Sequence, residues 1–146
     1  MKSKTKLPNP ARGVNGLVVS GLTQVALGAL TGFPYAVAVS RPERLRAVGV
    51  RAPHRIRQLH LDLVLMGGLV AIAGTAVPEP PRWVSLALAA GGWTNALAFV
   101  PLAIEPAVIR HPIYRTAVAG SFATTTIGWL ALAAVAVRRW REWVRR

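Results

Sequence analysis

Four stretches of this chain carry no charged side chain: Gly13 to Ser40, Leu63 to Pro78, Trp83 to Ile104, and Thr116 to Val137. Each approaches the roughly 20 residues an α-helix needs to cross about 30 Å of hydrocarbon. Hydrophobic residues make up 53% of the sequence and mean hydropathy is +0.40, above the roughly 45–50% apolar content of ordinary soluble domains. The predicted fold is therefore all-α, an integral membrane four-helix bundle. Its spans cover about 14–39, 57–77, 83–104 and 116–137, between a basic leader (1–13) and a basic Trp/Arg tail (138–146). Ala36-Val37-Ala38 resembles a signal-peptide cleavage site. The apolar run before it is longer than the roughly 7–15 residues of a signal core, so it reads as a retained first span.

A net charge of +13 would suggest nucleic acid in a soluble protein. Here the basic residues gather at the ends of apolar blocks, which excludes nucleic acid as the expected partner and points to membrane lipid and to cofactor carboxylates. The termini and second loop hold ten of the Lys and Arg residues, against eight in the first and third loops. That balance predicts both termini on the cytoplasmic side of the plasma or inner membrane. The absence of cysteine removes disulfides, iron–sulfur clusters and thiol chemistry.

Arg55-Ile56-Arg57-Gln58-Leu59-His60-Leu61-Asp62 places an imidazole and a carboxylate at the mouth of the second span. Ionisable groups there are rare and usually functional. On a helix, Arg57, His60, Val64, Gly67 and Ala71 share one face. That face offers a cation, a ligand and then a floor of small residues. A flat cofactor with acidic groups at one edge, such as a haem, would suit it. Helix 1 carries Gly28-Ala29-Leu30-Thr31-Gly32, a small-residue pattern that admits a close neighbour. In the third span Asn95 needs a partner, because an unpaired amide in an apolar medium costs several kcal/mol. Either an interhelical hydrogen bond or a pocket wall satisfies that need, with Trp93 and Phe99 beside it.

No phosphate loop, zinc signature or nucleophile elbow is present. The only acids are Glu43, Asp62, Glu79, Glu105 and Glu142, so paired carboxylates working as acid and base are not expected. His60 and Asp62 lie about 200° apart around a helix and cannot bind one metal from the same side. A lone histidine serves as an axial ligand to haem iron, whereas zinc would want three or four protein ligands.

Taken in order, Gly-Ala-Leu-Thr-Gly-Phe (28–33), His60-Leu61-Asp62 with Gly67, and Gly92-Trp93-Thr94-Asn95 resemble the hydroxylaminobenzene mutase and styrene oxide isomerase family over roughly residues 21–137. The resemblance implies a homotrimer with haem b held between protomers by the second-span histidine, which His60 matches. It also implies a redox-neutral rearrangement of a small apolar substrate, an epoxide to a carbonyl or an arylhydroxylamine to an aminophenol. The chain departs from the isomerases at Met66, where they carry Asn, and at Phe99, where they carry Tyr. It departs from the mutases at Asp62, where they carry Glu.

The expected site thus has His60 as the metal ligand and Arg55 and Arg57 pairing the haem carboxylates. Gly67 and Asp62 lie at the cofactor, Asn95 orients the substrate, and Phe99 and Trp93 form the walls. The competing reading is a non-catalytic membrane protein, either an assembly subunit or a haem-binding electron carrier with Met66 of another protomer as second ligand.

Overall fold

The computed structural model describes residues 15–146, so the basic leader lies outside the described residues. Within them there is no strand. The chain forms α1 (Gly16–Ser40), α2 (Pro42–Ala47), α3 (His54–Ala76), α4 (Arg82–Leu97), α5 (Phe99–Ile104), a 3₁₀ turn (Pro106–Arg110) and α6 (Pro112–Val144). Four helical segments are long and apolar enough to cross a membrane: α1, α3, α4 with α5, and α6.

Local chemistry sets the boundaries. Asn15 caps α1, its side-chain oxygen accepting from the Leu17 N–H. Helix α1 continues past Pro34 to Ser40. The basic first loop is not wholly irregular, because Pro42 starts the short helix α2. Helix α3 begins at His54, earlier than predicted, directly after Pro53. The third span is interrupted at Ala98, where Pro101 has no N–H for the Leu97 carbonyl one turn before it. Helix α6 takes in most of the predicted tail. No Gly or Pro interrupts it after Gly128, and its 33 residues extend about 50 Å, well beyond the hydrocarbon thickness.

The bundle is built from two close helix pairs, α1 on α3 and α4 on α6, joined through α3 and α4. Glycines permit the approach. A Cβ at Gly21 would lie 2.4 Å from the Gly67 carbonyl oxygen, and one at Gly28 would lie 2.7 Å from Val64 Cγ2. Across the other pair a Cβ at Gly91 would fall 2.2 Å from Thr125 Oγ1. Small residues at such crossings let dispersion contacts and interhelical hydrogen bonds replace the hydrophobic effect, which does not act between helices in lipid. Leu17, Leu63, Val70, Val84 and Leu88 fill the interior. Leu30, Phe33, Leu86, Ile113 and Leu130 are each more than 60% exposed, an outer surface matched to acyl chains.

The two ends of the bundle differ. At one, Asn15 Nδ2 donates to the Gly74 carbonyl (2.9 Å) and Arg139 donates to the carbonyls of Pro78 and Glu79. The start of α1, the proline-rich turn and the end of α6 therefore lie together. At the other, the Ala52 N–H bonds the Ala103 carbonyl (2.9 Å) and Arg51 pairs with Glu105, which joins the first and third loops.

One interior group is anomalous. Gln24 of α1 is fully buried, and among the described residues neither its Oε1 nor its Nε2 has a hydrogen-bond partner. Gly67 and Gly92 make room for it, a Cβ at Gly92 falling 3.0 Å from Nε2. An unpaired buried amide costs about 1–3 kcal/mol by mutational measure. Gln24→Met, of similar length without the amide, should raise the thermal midpoint in detergent. A lowered midpoint would show that the amide is hydrogen-bonded in the folded protein.

Candidate functional site

His60 lies in the second turn of α3 and faces α1. Its Nδ1 is 2.8 Å from the Gly28 carbonyl oxygen. A carbonyl only accepts, so Nδ1 carries the proton, and in the neutral imidazole the lone pair then lies on Nε2. The Thr31 hydroxyl donates to the same carbonyl (2.7 Å), with its oxygen 3.3 Å from Nδ1. Tyr35, one turn further along α1, stacks on the imidazole with ring centroids 5.3 Å apart and planes inclined by 21°. A Cβ at Gly32 would come to 3.6 Å of Cε1. The Gly28-Ala29-Leu30-Thr31-Gly32 segment thus both seats α3 and fixes the histidine. A backbone carbonyl on one imidazole nitrogen is the usual arrangement for a metal-ligating histidine, because it sets the tautomer and the ring plane. Among the described residues Nε2 has no hydrogen-bond partner, and no three His, Cys, Asp or Glu side chains converge on one point. A group held here would take His60 as its one protein ligand from this set.

Asp62 points elsewhere, as its spacing requires. With Met66, Asn95 and Phe99 it lines a cavity of about 600 Å³ between α3, α4, α5 and α6, within the usual range for a small-molecule site. Tyr114 and Ser121 of α6 also line it. Asn95 is held from both sides: its Oδ1 accepts from Ser121 Oγ (2.7 Å) and its Nδ2 donates to Thr125 Oγ1 (3.1 Å). Thr94 Oγ1 lies 2.6 Å from Ser121 Oγ, and Thr125 in turn donates to the Ser121 carbonyl (2.8 Å). One amide hydrogen and one carbonyl lone pair of Asn95 remain uncommitted. Asn95 thus bonds across helices and also lines the cavity. The Tyr114 hydroxyl donates to the Ala98 carbonyl (2.9 Å) at the break between α4 and α5.

The expected residues therefore divide. His60 stands against α1, while Asp62, Asn95 and Phe99 meet in the cavity on another side of α3. Trp93 turns to α1, where its Nε1 donates to Ser20 Oγ (3.2 Å), and it does not line the cavity. The small face of α3 is not open to a flat cofactor: Gly67 is buried, and a Cβ on it would lie 2.7 Å from the Gly21 carbonyl oxygen. That face is covered by α1, so Gly67 serves helix packing. Arg55 donates to Gln58 Oε1 (2.7 Å), whereas Arg57 is exposed and lines a cleft near Tyr35. The contributions of Tyr114 and Ser121 are not evident from the sequence. The available signal is Ser121 and Thr125, four residues apart and so on one face of the helix.

Comparison with family models, curated proteins and solved structures finds no match to this chain.

Proposed function

We propose that the protein is a haem b-dependent membrane isomerase, catalysing a redox-neutral rearrangement of a small apolar epoxide or arylhydroxylamine. The observation that carries this reading is the orientation of His60, with Nδ1 given to the Gly28 carbonyl and Nε2 without a hydrogen-bond partner among the described residues. When bound, the haem iron supplies Lewis acidity toward a substrate oxygen or nitrogen. The chain supplies the rest. His60 holds the cofactor, Asn95 presents its remaining donor and acceptor to the substrate heteroatom, and the Phe99 ring stabilises developing positive charge by about 0.5–2 kcal/mol.

Within one chain the imidazole and the cavity lie on different sides of α3. A homotrimer, with His60 of one copy facing the cavity of the next, unites them and is the assembly proposed. Met66 lines the cavity, whose lining does not include His60, so within a chain the two would not be expected to hold one metal together. The proposed location is the plasma or inner membrane with both termini cytoplasmic.

The test is turnover. Purified protein supplied with haem should convert an aryl epoxide to an aldehyde, or an arylhydroxylamine to an aminophenol, without added reductant; failure with both classes overturns the proposal. Asn95→Ala should keep the haem Soret band while kcat falls at least about tenfold, equivalent to about 1.4 kcal/mol. Loss of the band instead would assign Asn95 to the scaffold.

A further inference from the structure

The first loop closes over a second, smaller concavity of about 270 Å³, lined by Tyr35 of α1, Arg46 of α2, and His54 and Arg57 at the start of α3. Two arginines and a histidine are thus among its walls, and no carboxylate lines it. Two other arginines of this segment are engaged, Arg51 pairing with Glu105 and Arg55 donating to Gln58, while Arg41 and Arg44 have no ion-pair partner among the described residues and do not line the cleft. Arg46 and Arg57 have no ion-pair partner among the described residues. Like charges held together without a counter-charge repel one another unless an anion joins them.

The arrangement is built by the fold. Helix α2 exists because Pro42 starts it, and it carries Arg46 back toward α3. His54 and Arg57 are three residues apart on α3 and so share a face. Tyr35 borders the cleft and stacks on His60, so one ring adjoins both the cleft and the imidazole. The cleft also sits at the end of the apolar bundle where the first and third loops meet, the depth at which headgroups and acidic edges of membrane-embedded molecules lie.

We infer that Arg46, Arg57 and His54 form an oxyanion-binding site for a carboxylate or phosphate carried by a molecule whose apolar part lies in the bilayer. Arginine presents a planar fork of donors that matches such oxyanions in bidentate fashion. Two sources share this chemistry: the phosphate of an anionic phospholipid, and the acid arms of a flat cofactor on His60. The second rests on the function proposed above; the first does not.

Two measurements on the full chain in detergent separate them. In the first, native mass spectrometry follows retention of phosphatidylglycerol against phosphatidylcholine. In the second, spectroscopic titration compares haem with its dimethyl ester, which lacks the acids. Wild-type protein should favour the acidic member of at least one pair by about tenfold or more. Arg46→Gln with Arg57→Gln should abolish that preference, whereas Arg41→Gln with Arg44→Gln, of equal charge change in the same loop, should preserve it. The lipid pair responding alone identifies a headgroup site, and the haem pair responding alone identifies a cofactor-acid site. No preference in either pair, or equal losses in the two double variants, overturns the inference. A chain that binds no haem yet retains phosphatidylglycerol through Arg46 and Arg57 sinks the isomerase reading and leaves this site standing.

Discussion

His60→Ala should yield folded protein that retains no haem. The substitution deletes the Nε2 lone pair, the Nδ1 bond to Gly28 and the stack on Tyr35 in one step. The fold should survive, because the Gly28 carbonyl still accepts from Thr31 and the ring is only half-buried. Losing one hydrogen bond of this kind costs about 1 kcal/mol, well within the stability of an ordinary domain. Haem content measured by pyridine haemochrome, together with the elution volume in detergent, reads both halves of this result. Haem retained at wild-type stoichiometry would assign the iron to a different ligand. Aggregation would make His60 a structural residue.

Gly21→Ala should be the most damaging of the single-methyl additions on α1. Its Cβ would meet the Gly67 carbonyl oxygen at 2.4 Å and the Ala71 nitrogen at 2.5 Å. Both are backbone atoms, so no side chain can turn aside and the helices themselves must part. Overpacking typically costs about 1–3 kcal/mol, and this site belongs at or above the upper end. Gly68→Ala and Gly120→Ala provide the contrast, because a Cβ at either meets nothing within 4 Å. There the gain in helix propensity, up to about 1 kcal/mol, should leave the thermal midpoint equal or higher. Equal effects at all three positions would mean that α1 and α3 do not meet as described.

The four spans were legible because charge is excluded from hydrocarbon more strictly than any other property of a sequence. The glycine pattern at residues 28–32 was legible as a helix contact for the same physical reason: only small residues let two backbones approach. What it contacts was not. A small face looks the same whether a helix or a flat cofactor covers it, and Gly67 turned out to face Gly21 and Gln24. The cavity around Asn95 was only half legible, because Tyr114 and Ser121 reach it from a helix distant in sequence and their spacing carries no sign of it. Helix α2 lies below the length at which periodicity can be read. The continuation of α6 through Trp140 and Trp143 was hidden by composition, since Arg and Trp mark an interface whether or not the backbone remains helical. Gln24 gave no sequence signal beyond being a lone amide in an apolar run, and its isolation is visible only in three dimensions.

The coordination state that added haem iron adopts on this protein tests the proposed function most directly. Wild-type protein loaded with ferric haem should give a five-coordinate high-spin absorption and paramagnetic resonance signature, with one imidazole bound and the opposite face open. A six-coordinate low-spin signature would point to an electron carrier, and no Soret band at all would leave a four-span bundle without this cofactor.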